Sequence, residues 1–274
     1  MERVGEHPVA AGPLAVRWLA YELDAPRAGV TGRARLALEN AGSATWRARG
    51  KNGVRISYHW LDPLGNAIVW DGMRVAPPRP VSPGESVELE VPLSAPRPPG
   101  RYLVSFDLVE EYHFWFAEIG STTLDVPVEV APRIAERRLG VVINGPADAE
   151  TQAALAAQEE PLVADDAVAV AYLVAGAAPA PDWSRRLLDA HTEGWPAIGG
   201  AILCESRRDR ARLAPWKPGG GRNPRFGEPL LLPSLLDGLQ PGTHAGLPAY
   251  EGPDCLFDGR AVVRLRPRSG RPLA

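Results

Sequence analysis

Apolar and polar residues alternate along the first half of the chain. Val54, Ile56, Tyr58 and Trp60 share one face of an extended segment, and Arg55, Ser57 and His59 share the other. The pattern recurs at Val87, Leu89, Val91 and Leu93, at Tyr102, Val104, Phe106 and Leu108, and at Leu124, Val126, Val128 and Val130. A period of two is what a strand with one face on a core requires. Asp62-Pro-Leu-Gly65, Ser82-Pro-Gly-Glu85 and Pro98-Pro-Gly100 supply turn chemistry between the runs. The pattern predicts a β-sandwich over residues 14–131, after a flexible amino terminus of residues 1–13.

Beyond Val130 the pattern changes. Residues 132–138 form a polar connector, and residues 139–274 alternate short apolar runs with helical stretches. Leu139-Gly-Val-Val-Ile143 is a strand apolar on both faces, and Pro146 to Gln158 is a helix with acidic residues in its first turn. Ala167 to Val174 is the next strand. A helix follows from Asp182, which caps it, to His191, and is closed by Gly194; Trp195 to Leu203 is a further strand. This order predicts a reduced α/β domain with a parallel sheet, right-handed crossovers and an irregular basic tail. In such a domain the crevice beyond a strand's carboxyl end is where ligands bind. At that place after Ala167–Val174 the chain offers only Val174, Ala175 and Gly176.

Composition narrows the function. With 45% hydrophobic and 23% charged residues the chain is globular in type, and a formal net charge of -3 gives no case for nucleic acid. No apolar run reaches the length of a membrane span, and the amino terminus lacks a signal-peptide pattern, so a cytoplasmic location is expected. Cys204 and Cys255 fit no metal-ligand spacing, and two buried free thiols are expected rather than a disulfide.

The aromatic residues carry the candidate chemistry. Trp46, Trp60, Trp70 and Trp115 either fill the core or present a sugar-stacking platform, and the pattern of its strand puts Trp60 in the core. Trp115-Phe116 places adjacent rings on opposite faces of a strand, so one of them points outward. With Glu111 and His113 just before them, these residues are the candidate glycan or partner contacts. His59 and His113 lack metal-ligand spacing and are expected at the surface. Lys217-Pro-Gly-Gly-Gly-Arg-Asn223 lacks the spacing of a phosphate loop and is read as a surface loop. The arginines at 207, 208, 210 and 212 are read as a solvated face. No metal and no cofactor are expected.

Two resemblances add to this reading. Asn40-Ala-Gly-Ser-Ala-Thr-Trp46, Tyr58-His-Trp60, Trp70, Ser82-Pro-Gly84, Pro99-Gly-Arg-Tyr102 and Trp115-Phe116 resemble the immunoglobulin-like "four-tryptophan" domain, a module attached to bacterial enzymes of surface-polysaccharide biosynthesis. The second half, residues 139–274, resembles the inverting GT-A glycosyltransferases of the family 2 type: Val141-Val-Ile143 with Ala153 to Gln158 matches the opening strand and helix. Leu162-Val-Ala-Asp-Asp166 resembles the second strand, whose aspartates lie near the nucleotide base, making Asp165 and Asp166 the possible nucleotide contacts. Ala171 to Trp183 matches the strand carrying the metal-binding Asp-x-Asp, and Ile198-Gly-Gly-Ala-Ile202 the strand after it. Val174, Ala175 and Gly176 stand where that motif needs carboxylates to hold a divalent cation. The resemblance therefore implies a degenerate transferase domain, a pseudoenzyme rather than an active one. Together the two imply a non-catalytic accessory or scaffold protein that binds a glycan or a protein of a polysaccharide system. The alternatives are a metal-independent glycosyltransferase and a protein-interaction module with no link to sugars.

Overall fold

The computed structural model describes residues 1–144, 146–174, 176–204, 230–231 and 255–265. The chain divides into two compact units, Met1–Pro132 and Arg133–Ala274. It is mostly sheet, with two α-helices among the described residues.

The first unit holds β1 (Glu2–Arg3), β2 (Val16–Leu23), β3 (Thr31–Asn40), β4 (Val54–Leu61), β5 (Ala67–Val69), β6 (Ser86–Ser94), β7 (Gly100–Glu110), β8 (Phe114–Trp115) and β9 (Leu124–Val130). One antiparallel sheet has the order β1-β2-β3-β6. The other has the order β5-β4-β7-β8, with β9 also on β7. The alternating runs put their apolar faces together. Leu36 and Leu38 of β3 and Val91 of β6 meet Ile56, Tyr58 and Trp60 of β4, Phe106 of β7 and Val126 of β9 in one core. Trp18 and Trp46 fill the same core. The indole Nε1 of Trp18 donates to the Thr122 carbonyl at 2.7 Å, so this buried donor is satisfied.

The second unit holds β10 (Leu139–Asn144), α1 (Ala149–Ala156), β11 (Ala169–Val174), β12 (Ala177–Pro179), α2 (Trp183–Thr192), β13 (Ala197–Cys204), β14 (Leu230–Leu231) and β15 (Cys255–Leu265). β10 and β11 pair in parallel with α1 between them in sequence. The single parallel sheet expected from the sequence is not what forms. A mixed sheet of order β12-β15-β13-β14 stands beside the β10–β11 pair, with β13 and β15 parallel and the other pairings antiparallel. The cause lies at Gly176, whose φ of 78° lets the chain turn immediately after β11 and start β12 against β15. Leu139, Ala171 and Leu173 pack with Trp183, Leu187, Leu188 and Ile198 in this unit's own core.

Helix starts show the capping rules at work. Asp148 accepts from Thr151 N at 2.8 Å, which is why α1 begins at Ala149 and not at Pro146. Asp182 occupies the N-cap of α2 but makes no cap hydrogen bond. Its carboxylate pairs with Arg186 Nε at 2.6 Å, and the Ser184 N–H donates instead to Gln158 Oε1 at 2.9 Å. Register separates the two cysteines. Cys255 sits opposite Ala197 and Cys204 opposite Leu265, at the two ends of the β13–β15 pair. At strand rise that is on the order of 20 Å, against about 7 Å for the longest disulfide, so the two thiols do not pair within the chain.

Candidate functional site

The outer face of the second sandwich sheet carries a layer of polar side chains where the period-two rule expects water. Ser57 and His59 of β4 stand opposite Asp107 and Ser105 of β7, and Ser105 stands opposite Asp125 of β9. Ser57, His59, Ser105 and Asp107 are nevertheless buried. Ser57 and His59 are covered because the chain after β5 returns along β4, where Gly72 N donates to the Tyr58 carbonyl and Val75 and Ile56 exchange backbone hydrogen bonds. Ser105 donates to Asp125 Oδ1, and Asp107 accepts from Ala117 N. Ser57 Oγ donates to the Gly72 carbonyl at 3.0 Å, and His59 Nδ1 donates to the Trp70 carbonyl. His59 is thus a buried anchor and not the surface residue expected from its strand pattern. Burial pushes its pKa below the ordinary value, with the bond to Trp70 opposing.

Gly72 is required by this return. A Cβ there would lie 2.5 Å from the Tyr58 ring. That ring is buried, and its hydroxyl accepts from Ser94 N at 3.0 Å, so it has no room to move. Gly72→Ala is expected to destabilise the sandwich by about 1–3 kcal/mol, read as a lower urea midpoint at unchanged m-value.

Above the layer lies an aromatic corner. Trp70 stacks on His59 with ring centres 4.2 Å apart and planes 22° from parallel, and remains 57% exposed. Trp115 meets His59 edge-on at 4.4 Å and Trp70 at 6.3 Å and 71°. The Arg74 guanidinium sits 5.5 Å from the Trp115 ring centre. It is held by Asp71 at 2.8 and 3.1 Å and by Glu111 at 2.8 Å. Asp71 is the first cause of the rise in the Arg74 pKa above its ordinary value. The corner therefore offers an exposed indole face flanked by two carboxylates and a guanidinium, groups that hydrogen-bond hydroxyls well.

The sequence-predicted residues divide clearly. Glu111 and Trp115 belong to this corner, Glu111 through Arg74 and Trp115 as its perpendicular wall, only 8% exposed. His113 lies exposed in the adjoining turn, its Nδ1 3.6 Å from a Glu110 oxygen. Phe116 faces inward with no exposure and packs edge-on against Trp46, so it offers a ligand nothing. The two rings part because β8 ends at Trp115 and Phe116 opens a short 3-10 turn (Phe116–Ile119), not by strand alternation. Trp70, Asp71 and Arg74 were missed as a group, because only the return of the chain over β4 brings them to Trp115. On β7, Asp107 accepts from Leu108 N at 2.7 Å and Ala117 N at 3.2 Å. Burial raises its pKa to about 7 against those two bonds.

In the second unit Asp165 and Asp166 lie exposed in the turn before β11, Asp166 with φ 56° and its carbonyl bonded by Arg138 Nε at 2.7 Å. Val174 ends that strand, five residues along from Ala169 or roughly 17 Å, and Gly176 lies in the turn beyond it. The structure does not bring the two sets together. Ala175, the 217–223 loop and the arginines at 207, 208, 210 and 212 fall outside the described residues.

No family model matches the chain, and no curated protein matches it. Among solved structures it is similar to the C-terminal domain of wzt, at 12% identity and a TM-score of 0.29, over 43% of this chain and 74% of that one. A beta-glucosidase from Listeria innocua in complex with glucose matches at 11% identity and a TM-score of 0.24, over 42% of this chain and 16% of that one. A family 123 glycoside hydrolase from Clostridium perfringens matches at 9% identity and a TM-score of 0.24, over 48% and 26%. Likenesses this distant carry no argument about function, which rests on the chain's own residues.

Proposed function

We propose that this chain is a non-catalytic accessory protein of bacterial surface-polysaccharide biosynthesis whose sandwich binds glycan at the Trp70 corner. One observation carries the reading: an indole held flat on His59 by the backbone of its own strap, more than half exposed, with Asp71, Arg74 and Glu111 beside it. A rigid aromatic plane suits the apolar face of a pyranose, and the flanking charges suit its hydroxyls. The link to polysaccharide synthesis is supported by the four-tryptophan motifs.

In the same reading residues 139–274 descend from a GT-A domain. Support comes from the β10–α1–β11 unit and from Val174 at the carboxyl end of β11, with Gly176 in the turn beyond. A divalent cation does not fit that place, since Val, Ala and Gly side chains supply no oxygen ligand. Transfer through Asp165 and Asp166 has little support, because they stand at the amino end of β11.

The test is titration of the full chain with size-graded fragments of surface polysaccharide from the producing cells, followed by tryptophan fluorescence. Trp70→Ala is expected to weaken binding more than about tenfold with little change in melting temperature. A wild-type protein that binds no fragment would sink the proposal. A second reading, protein docking, is favoured by edge strand β5, all three residues of which are exposed. Glycan titration separates the two.

A further inference from the structure

The Trp70 corner has a neighbour on the same face. A groove of about 650 Å³ is walled by Leu103 and Arg101 of β7, Pro127 and Glu129 of β9, and the β4–β5 turn at Leu64 and Gly65. Leu103 is two residues from Ser105, which stands opposite His59, the residue under Trp70. The groove thus begins about 7 Å of strand from the corner.

Two features make the groove a built one. The turn that closes it is rigid: Asp62 Oδ1 accepts from Leu64 N at 2.9 Å and Asn66 N at 2.8 Å, while Oδ2 accepts from Asn66 Nδ2 at 2.9 Å. The Asn66 bonds are the first cause of the low pKa of Asp62, so the turn stays locked at neutral pH. Leu64 is held by that turn with 87% of its surface in water. Opposite it, the Arg101–Glu129 pair, 3.6 Å apart and largely exposed, keeps donors and acceptors for hydroxyls at the mouth. Apolar walls with a few charged groups at the rim, fixed before binding, are the general character of a small-ligand site.

We infer that this groove is a second sugar subsite, so that the ligand is a linear glycan chain lying from Trp70 across Leu103 to Leu64, and not a single terminal sugar. The inference rests on the glycan reading of the Trp70 corner and adds the length of chain that is recognised. A chain bridging both places binds with an affinity that rises with length, because the second contact is made without a second loss of translational freedom.

Fragments of one, two, four and six sugar units from the same polysaccharide decide the matter by calorimetry. Wild-type affinity is expected to rise at least about tenfold from the shortest to the longest. Leu64→Ser, at an exposed position that leaves the core untouched, is expected to abolish that rise while leaving the shortest fragment bound as before. Equal affinity for all lengths, or a Leu64→Ser variant that keeps the full gain, overturns the second subsite and leaves the Trp70 corner standing. Absence of binding at every length overturns the glycan reading itself, and the subsite with it.

Discussion

Trp60→Ala is expected to cost the sandwich about 3–5 kcal/mol, the largest loss from any single substitution considered for this chain. Trp60 is completely buried, with Tyr58 and Tyr102 packed against it edge-on at 6.4 and 6.2 Å. Its Nε1 donates to the Ser94 carbonyl at 2.8 Å, while the Ser94 N–H donates to the Tyr58 hydroxyl at 3.0 Å. Two side chains of one sheet thus hold both backbone groups of a residue in the other. Alanine leaves a cavity and strips the Ser94 carbonyl of its partner. Trp60→Phe keeps most of the packing and loses the hydrogen bond, so about 1–2 kcal/mol is expected. Urea unfolding of the full chain at constant m-value measures both. A cost below about 1 kcal/mol for alanine would show that the two sheets are joined elsewhere.

Acidification is expected to strengthen the sandwich through Asp107. Its folded pKa is about 7 against an ordinary 3.8, so between these values the folded state binds the extra proton. Stability from this group is fully present below about pH 4 and is lost as pH rises to about 7. The shift corresponds to at most about 4 kcal/mol. Burial is the first cause; the carboxylates of Glu118 and Asp125 add to it, and the N–H groups of Leu108 and Ala117 oppose it. His59, depressed by burial, acts the other way, since stability from a buried neutral imidazole is lost as pH falls below its unfolded value of 6.5. It is present in both proteins when wild type is compared with Asp107→Asn, so the difference isolates Asp107. Urea midpoints that run parallel from pH 4 to 8 in the two proteins would refute this account.

Much of the sandwich is legible in the sequence because its strands bury one face only. Ile56, Tyr58 and Trp60, or Val104, Phe106 and Leu108, need no more than the period of two to be placed in the core. The same rule misplaces His59, Ser57 and Asp107. It assigns them to water, and nothing local announces that residues 70–75 come back along β4 onto Ser57 and His59, or that Ala117 caps Asp107. The site is hidden for that reason: Trp70 and Trp115 are far apart in sequence and meet only through β4 and β7. In the second unit the strands and helices stand close to where the apolar runs place them. The pairing of β12 with β15 depends on the turn at Gly176 and on a partner strand some 80 residues further on, neither of which an apolar run encodes.

The return of the chain over β4 has one more consequence. Ser57 and His59 reach the Gly72 and Trp70 carbonyls from alternate positions on a single face. A slip of the strap by one residue would break both bonds at once and drive a side chain into the place of Gly72. The polar layer therefore works as a ratchet tooth for the strap: it contributes little net energy but allows one alignment, and that alignment fixes where the Trp70 ring faces the solvent.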